Sequence, residues 1–445
     1  MRRAVASMKR AAPYLAVGAA IGALAVAFVG GASSRANVGP ESTTSDRLSQ
    51  FARVFETVRN KYVEAPDPTK MVVGAINGML TSLDPHSTYF DAKALGDFQN
   101  TMRGEEFGGL GLEIMQEGGL VRVVTPIDET PAARAGMLSG DVITAIDDTA
   151  VKGMTLKEAV DRMRGPAKTS VKLTVQREGD KAPRLFTIVR EIIHVLPVRA
   201  RLEGGGDIGY IRITQFNQQT FDGLQKAFAR FRSDPGADKL KGYILDLRNN
   251  PGGLLTQSIE VVNAFVDHGE IVSTRGRAVE QQQEYYARAG NDLSQGKPLV
   301  VLINGGSASA SEIVSGALQD LKRGTLIGTR SFGKGSVQTV LPLGDDGALK
   351  LTTARYYTPS GRSIQAKGIE PDIKVLEAIP DDLKGKVESL GEAALAGHLK
   401  NGDNEKSGSE AYVPPDATKD TQLIAAVDLL HGRTAKAKDP IAGNN

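Results

Sequence analysis

The chain reads as an α/β protein, with a β-rich module inserted ahead of its main sheet domain and a helical region before both. Three patterns predict this. After Ile208, apolar strand-length runs alternate with amphipathic helices, as in a largely parallel sheet covered by helices. Between Phe107 and Arg190 the texture is short strands and Gly-rich turns around one helix. From Asp46 to Arg103 apolar residues recur at helical spacing, as an amphipathic helix requires. The 445 residues suit roughly three domains at about 150 residues each.

Composition narrows the chemistry. The 54 basic and 52 acidic side chains nearly cancel, so no global field argues for a nucleic-acid partner. Zero cysteines exclude disulfides, thiolate metal sites, a cysteine nucleophile and a lipidated cysteine anchor. The histidines His86, His194, His268, His398 and His431 form no HxxxH or HxH pair, which argues against a histidine zinc site. Chemistry must come from Ser, Lys, carboxylates and backbone groups.

Residues 1–36 look like an address. Arg2, Arg3, Lys9 and Arg10 lead into a nearly uncharged run, Ala11 to Ala32, followed by Ser34-Arg35-Ala36. This matches an export signal peptide, and the run is also near the length of a membrane anchor. Either reading places the remainder outside the cytoplasm and confines membrane contact to this segment. Residues 37–105 are a polar linker, Gly39 to Ser45, and the helical region. In the latter Leu48, Phe51, Val54, Phe55 and Val58 share one face, and Val72, Ile76, Met79 and Leu80 another. Ser82-Leu83-Asp84-Pro85-His86-Ser87 forms a turn within it.

Residues 106–190 form the inserted module. Gly109-Leu110-Gly111-Leu112-Glu113-Ile114 opens it, Leu120 to Val124 and Asp141 to Ile146 are strands, and Val171 to Arg177 alternates apolar with polar. Thr155 to Arg164 is the helix, with Leu156, Ala159, Val160 and Met163 on one face. This order matches a PDZ domain, with Gly109-Leu110-Gly111-Leu112 at its carboxylate-binding loop. Consecutive N–H groups in such a turn make a nest for an anion, and the next strand offers an edge to a peptide.

Residues 191–375 form the sheet domain. Gly209 to Phe216, Gly242 to Leu247, Pro298 to Ile303 and Thr325 to Thr329 are strands, and Phe221 to Phe231 is a helix. Ligands in such sheets sit where strand ends meet glycine loops. In residues 376–445, Gly402 to Thr418 has the composition of a flexible segment and Thr421 to Leu430 that of a short amphipathic helix.

Two residues stand out. Ser309, in Ser307-Ala308-Ser309-Ala310-Ser311-Glu312, follows a strand and Gly305-Gly306 and enters a helix. Helix N-terminal N–H groups and the macrodipole favour a developing oxyanion there, although serine at such a junction also serves as an ordinary N-cap. Lys334 lies between Gly333 and Gly335, after a buried strand. With a pKa near 10.4 an amine is neutral about 0.04% of the time at pH 7. Burial disfavours the ammonium and makes the amine a usable base for a serine, as in Ser–Lys variants of the catalytic triad. Gln338, four residues on, could hold the amine by a hydrogen bond. Asn249-Asn250-Pro251-Gly252-Gly253, after the central strand, could complete an oxyanion hole with the N–H of Ala310.

Two rival readings fail. Gly328 to Gly335 resembles a phosphate-binding loop, but Gly335 stands where a hydroxyl residue should follow the lysine, and Ser336 to Leu343 reads as a strand rather than a helix. A Ser-His-Asp triad would need His268, which sits between Asp267 and Gly269 in a polar turn.

With these residues assembled, the chain resembles the carboxy-terminal processing, or tail-specific, proteases of the serine–lysine class. The resemblance runs from about Phe51 to Val375 and is carried by Ser307 to Ile313, Ser331 to Thr339, Asp246 to Gly253, and Arg355 to Asp372. It implies Ser309 as nucleophile, Lys334 as base, Gln338 as the residue positioning that lysine, and Ala310 with Gly252 or Gly253 as oxyanion donors. It further implies a PDZ domain that binds substrate tails through Leu110, Gly111 and Leu112 and gates the site, with Arg164 linked to the gating. Lys168 departs from the pattern, where glycine is usual. The implied core is crotonase-like, the implied activity is a serine endopeptidase of exported proteins in the periplasm or on the outer face of the membrane, and no metal or organic cofactor is needed. Implied partners are protein substrates bound by their tails, a second copy in a dimer, and an activating adaptor. The alternative is a catalytically inactive envelope scaffold that binds C-terminal peptides.

Overall fold

The structure is a computed structural model that describes residues 43–433, apart from 105–106, 118–119, 127–129, 139–140, 155, 178–179, 194–195, 382–387, 390, 403 and 415. The export segment expected over 1–36 lies outside the described residues. Among the described residues no helix is long and apolar enough to cross a membrane. The chain divides into two compact units at Met71 and Val72.

The first unit contains the helix Thr44–Lys61. Its start is closed by a reciprocal cap, in which Asp46 N–H donates to Thr43 Oγ1 (3.3 Å) and Thr43 N–H to Asp46 Oδ2 (2.9 Å), satisfying donors that a helix start leaves open. Leu48, Phe51, Val54 and Val58 line one side, as their spacing predicts, and all are exposed.

In the second unit, the strands Leu112–Glu117, Leu120–Pro126, Val142–Ile146, Ser170–Gln176 and Arg184–Val189 form an antiparallel sheet in chain order. The expected alternation holds: Val171, Leu173 and Val175 are buried and meet Ala159 and Met163 of the helix Leu156–Met163. Leu112–Glu117 is an edge strand. Phe107–Gly109 pairs antiparallel with Glu191–Ile193, so this module enters and leaves through neighbouring strands.

The main sheet has six strands, in the order Val198–Glu203, Ile208–Ile213, Gly242–Asp246, Leu299–Ile303, Thr325–Gly328 and Ile373–Lys374. All neighbours are parallel except the first pair. Leu299–Ile303 is wholly buried, which is why it reads as an unbroken apolar run rather than an alternation. The helices Thr220–Ser233, Leu255–Asn263 and Ala310–Asp320 contribute to the core on one face, with Phe228, Val262 and Val314 among the buried side chains. The other face is closed by Leu423, Ala425 and Ala426 of the helix Thr421–Leu430, against Tyr210, Ile244, Val300 and Ile327.

A second, antiparallel sheet joins Thr88–Phe90, Ala348–Tyr357, Glu270–Gly276, Gln283–Tyr286 and Ser336–Pro342. The strand after Lys334 therefore belongs to this sheet, and no helix follows the lysine as a phosphate-binding loop requires.

The C-terminal reading needs correction. Within residues 402–418, expected as a flexible segment, Lys406, Gly408 and Glu410 are bonded into the sheet domain. Arg330 donates to the carbonyls of Lys406 and Gly408, Gly305 N–H to Glu410 O (2.8 Å), and Lys406 N–H to Ala366 O (2.9 Å). Polar composition reflects solvent on one side of this strap; its backbone groups bond inward.

Candidate active site

Three loops meet at the ends of the parallel strands, and side-chain amides and hydroxyls hold them together. Asn249 N–H donates to Asn304 Oδ1 and Asn304 Nδ2 to Asn249 Oδ1, both at 2.9 Å. Ser307 Oγ donates to Leu247 O (2.8 Å), Ala308 N–H to Asn250 O (3.0 Å), and Phe332 N–H to Ser307 O (2.9 Å). His268, by contrast, is exposed on its turn.

Ser309 stands at the N-cap of Ala310–Asp320, 8% exposed, with φ 55° and ψ −111°. A left-handed non-glycine residue costs on the order of 1–3 kcal/mol, and the interlocked loops hold it there. Its hydroxyl is not used for capping, because the Glu312 N–H goes to the Ser309 carbonyl (2.8 Å). Gly252 packs against this corner. A Cβ there would lie 2.7 Å from Ala308 O, 2.8 Å from Ser309 Cβ and 2.9 Å from Ala310 N.

The two glycines are not equivalent. The Gly252 N–H is committed to Asn250 Oδ1 (2.9 Å). Gly253, aligned with Phe216 in a parallel bridge, and Ala310 keep N–H groups without a partner among the described residues. Ala310 and Gly253 are therefore the pair of free donors.

Lys334 is brought to the same corner by Glu312, which the sequence shows only within the run Ser307 to Glu312 that enters a helix. Glu312 is fully buried, and its Oε2 accepts from both Ser309 N–H and Lys334 N–H at 2.9 Å. Its Oε1 accepts from Gly333 N–H (2.7 Å) and from the Ser331 hydroxyl. Burial pushes the Glu312 carboxyl up to about 7, against the pull of these hydrogen bonds. The Lys334 amine has no hydrogen-bond or ion-pair partner among the described residues. Burial first, and then the Lys350 ammonium, hold it below the ordinary 10.5, while Glu392, Glu312 and Asp84 act in the opposite sense. A lysine so placed can accept a proton.

Gln338 does not meet the amine as expected. It sits on Ser336–Pro342 beside a register shift between Val337 and Gln338, and its Nε2 donates to Ser336 Oγ (2.9 Å) and Thr352 Oγ1 (3.2 Å).

Beneath the loops lies a buried ion network. Asp246 accepts from Arg248 (2.7 and 3.0 Å), Arg212 (3.0 Å) and the Tyr210 hydroxyl (2.7 Å), and Arg248 also donates twice to Asp420 at 2.8 Å. Burial would raise the Asp246 carboxyl, but Arg248 and Arg212 outweigh it and hold it far below the usual carboxylate range. The sequence displays Asp246-Leu247-Arg248, but not the partner 172 residues on.

In the inserted module, Leu110 is buried and Gly111 has φ +76°, with the position of a Cβ filled by Thr130 at 2.2 Å. Leu112 begins the edge strand. Arg164 is exposed just past the end of Leu156–Met163. Lys168 takes φ +71°, a left-handed backbone that explains why glycine suits that position.

The comparisons agree with this architecture. Peptidase family S41 matches residues 207–375, a PDZ domain 122–177, and an activating protease CtpB N-terminal domain 24–94. A carboxy-terminal-processing protease of Bartonella bacilliformis is 54% identical over 402 residues, covering 90% of this chain and 92% of its own. The carboxy-terminal processing protease CtpA of Bacillus subtilis is 37% identical, covering 80% of this chain and 74% of its own. A solved photosystem II D1 C-terminal processing protease aligns at TM-score 0.48 and 33% identity, over 79% of this chain and 99% of that one. With identity of this extent across nearly the whole length, the chain belongs to peptidase family S41, among the carboxy-terminal-processing proteases.

Proposed function

We propose that this protein is a serine-type endopeptidase that recognises exported proteins by free C-terminal tails, held at its PDZ module, and cleaves them with a Ser309–Lys334 dyad. The observation that carries the reading is the Glu312 carboxylate, which accepts from the N–H of Ser309 and the N–H of Lys334 at once and so joins the strained serine to the desolvated lysine.

Ser309 Oγ bonds to the substrate carbonyl carbon while its proton passes to the Lys334 amine. The oxyanion is met by the N–H groups of Ala310 and Gly253, with Gly252 as the close-packed neighbour that leaves room for it. Collapse breaks the C–N bond, and the leaving amine takes the proton from Lys334. Water then repeats the sequence on the acyl-enzyme, with Lys334 again receiving and returning the proton. Gln338 positions the Lys334 amine, as the resemblance implies. The tail carboxylate binds at the N–H groups of Leu110, Gly111 and Leu112, the tail itself pairs with the edge strand Leu112–Glu117, and Arg164 relays occupancy.

The charged-then-apolar N-terminus supports export to the periplasm or the outer face of the membrane. The exposed Leu48–Val58 face supports a homodimer. Comparing a substrate bearing a free C-terminal carboxylate with its amidated twin tests tail recognition, since equal cleavage of both removes it. Ser309→Ala and Lys334→Ala should each abolish cleavage in a folded protein; retained turnover in Lys334→Ala refutes the dyad, and a wild-type protein that binds tails without cutting them restores the scaffold reading.

A further inference from the structure

We propose that Thr352 is a positioning residue of the active site, its hydroxyl proton committed to the Asp84 carboxylate so that it fixes which way the Gln338 carboxamide faces. This deepens the Ser309–Lys334 reading and rests on it. Asp84 is 3% exposed and Ser87 2%, so these two side chains face inward from a turn whose Leu83 and Pro85 are exposed. Asp84 Oδ1 accepts from His86 N–H (2.8 Å) and Ser87 N–H (2.9 Å), and Oδ2 from Ser87 Oγ (2.7 Å). One further donor reaches this carboxylate from the second sheet, Thr352 Oγ1 at 3.1 Å. Thr352 N–H in return donates to Ser87 Oγ (3.1 Å).

A threonine hydroxyl has a single proton. Because Asp84 takes it, Thr352 Oγ1 can only accept from Gln338, and it does so from Nε2 at 3.2 Å. The second Nε2 proton goes to Ser336 Oγ (2.9 Å). Both donors of the carboxamide are thus used, and Oε1 is the group left over, without a partner among the described residues. A free acceptor is what a lysine ammonium needs when it has taken the serine proton. Without the carboxylate, the threonine proton is free to point at Gln338, the amide can turn over, and it would present a donor instead.

The turn is also fastened beside the lysine loop. His86 Nε2 pairs with Glu392 Oε2 (2.8 Å), Glu392 Oε1 accepts from Gln365 Nε2 (2.9 Å), and Glu392 N–H donates to Phe332 O (2.9 Å). The charged groups acting on the Lys334 amine are therefore Lys350 of the second sheet, Glu392, Glu312 of the helix, and Asp84 of the turn.

The test measures kcat and KM against pH, on a peptide with a free C-terminus, for full-length wild type, Thr352→Val, Thr352→Ser, Gln338→Ala and the Thr352→Val/Gln338→Ala double variant. Thr352→Val should lower kcat roughly tenfold at unchanged KM. It should also move the acid limb to lower pH, because the ammonium loses its acceptor. Thr352→Ser should restore both, and Thr352→Val should cost nothing further in the Gln338→Ala background. If valine does not fold there, Thr352→Ala removes the same hydroxyl, with its bonds to Asp84 and Gln338. The proposal is overturned if the valine or alanine variant matches wild type in kcat and acid limb, or if its cost is the same without Gln338. Failure of the dyad itself has a different signature, turnover persisting in Lys334→Ala.

Discussion

A single methyl group at position 252 provides a sharp test of the oxyanion corner. In Gly252→Ala the new Cβ would start 2.7 Å from Ala308 O and 2.8 Å from Ser309 Cβ, whereas ordinary contact begins at 3.4 Å. Relief needs a displacement of about 0.7 Å, and the atoms that must give way are Ser309 Cβ and the backbone entering its helix. A misplacement near 1 Å costs on the order of 100-fold in rate, so kcat should fall roughly 30- to 100-fold, with little change in KM if the tail is held at the inserted module as proposed. Alanine at φ +98° adds about 1–2 kcal/mol of backbone strain, too little to unfold a domain of ordinary stability. The assay is single-turnover cleavage of a free-tail peptide, alongside calorimetric melting. A folded Gly252→Ala enzyme within threefold of wild type would refute the close-packed geometry.

Two further outcomes follow from the charges. For Lys334, the acid limb of kcat/KM should lie below the ordinary lysine value of 10.5 and move to higher pH in Lys350→Met, since the Lys350 ammonium is what disfavours a second cation nearby; an unmoved limb would remove Lys350 from the account. Arg248→Met should cost about 3–5 kcal/mol in urea unfolding, because it removes the buried guanidinium that pairs Asp420 and leaves Asp246 only Arg212 and the Tyr210 hydroxyl, and a loss under about 1 kcal/mol would show the network to be dispensable.

The sequence displayed what local chemistry can encode. Ser309 and Lys334 stand out in the sequence because each sits where a strand runs into glycines, a pattern that places a side chain at a strand end. The choice between Gly252 and Gly253 was not legible, since it turns on which N–H the Asn250 side chain takes. Gln338 is expected at the lysine from spacing and from the family resemblance, but a strand register shift and the hydroxyls of Ser336 and Thr352 decide where its amide goes. Glu312 looked like a first-turn residue because its four donors come from two loops, one of them about twenty residues away. Residues 402–418 misled for the opposite reason: composition reports side chains, whereas their bonds to Arg330 and Gly305 run through the backbone. The helix Thr421–Leu430 showed its apolar stripe, but no periodicity names the sheet face that stripe will cover.

The pairing of Phe107–Gly109 with Glu191–Ile193 has an architectural consequence. Strands joined in a ladder lie about 4.8 Å apart, so the chain departs for its tail-binding excursion and returns almost to its starting point. To the hydrolytic body, some eighty residues count as little more than a hairpin loop. Such a cassette can be exchanged, lengthened or lost without rethreading the sheet domain that carries it.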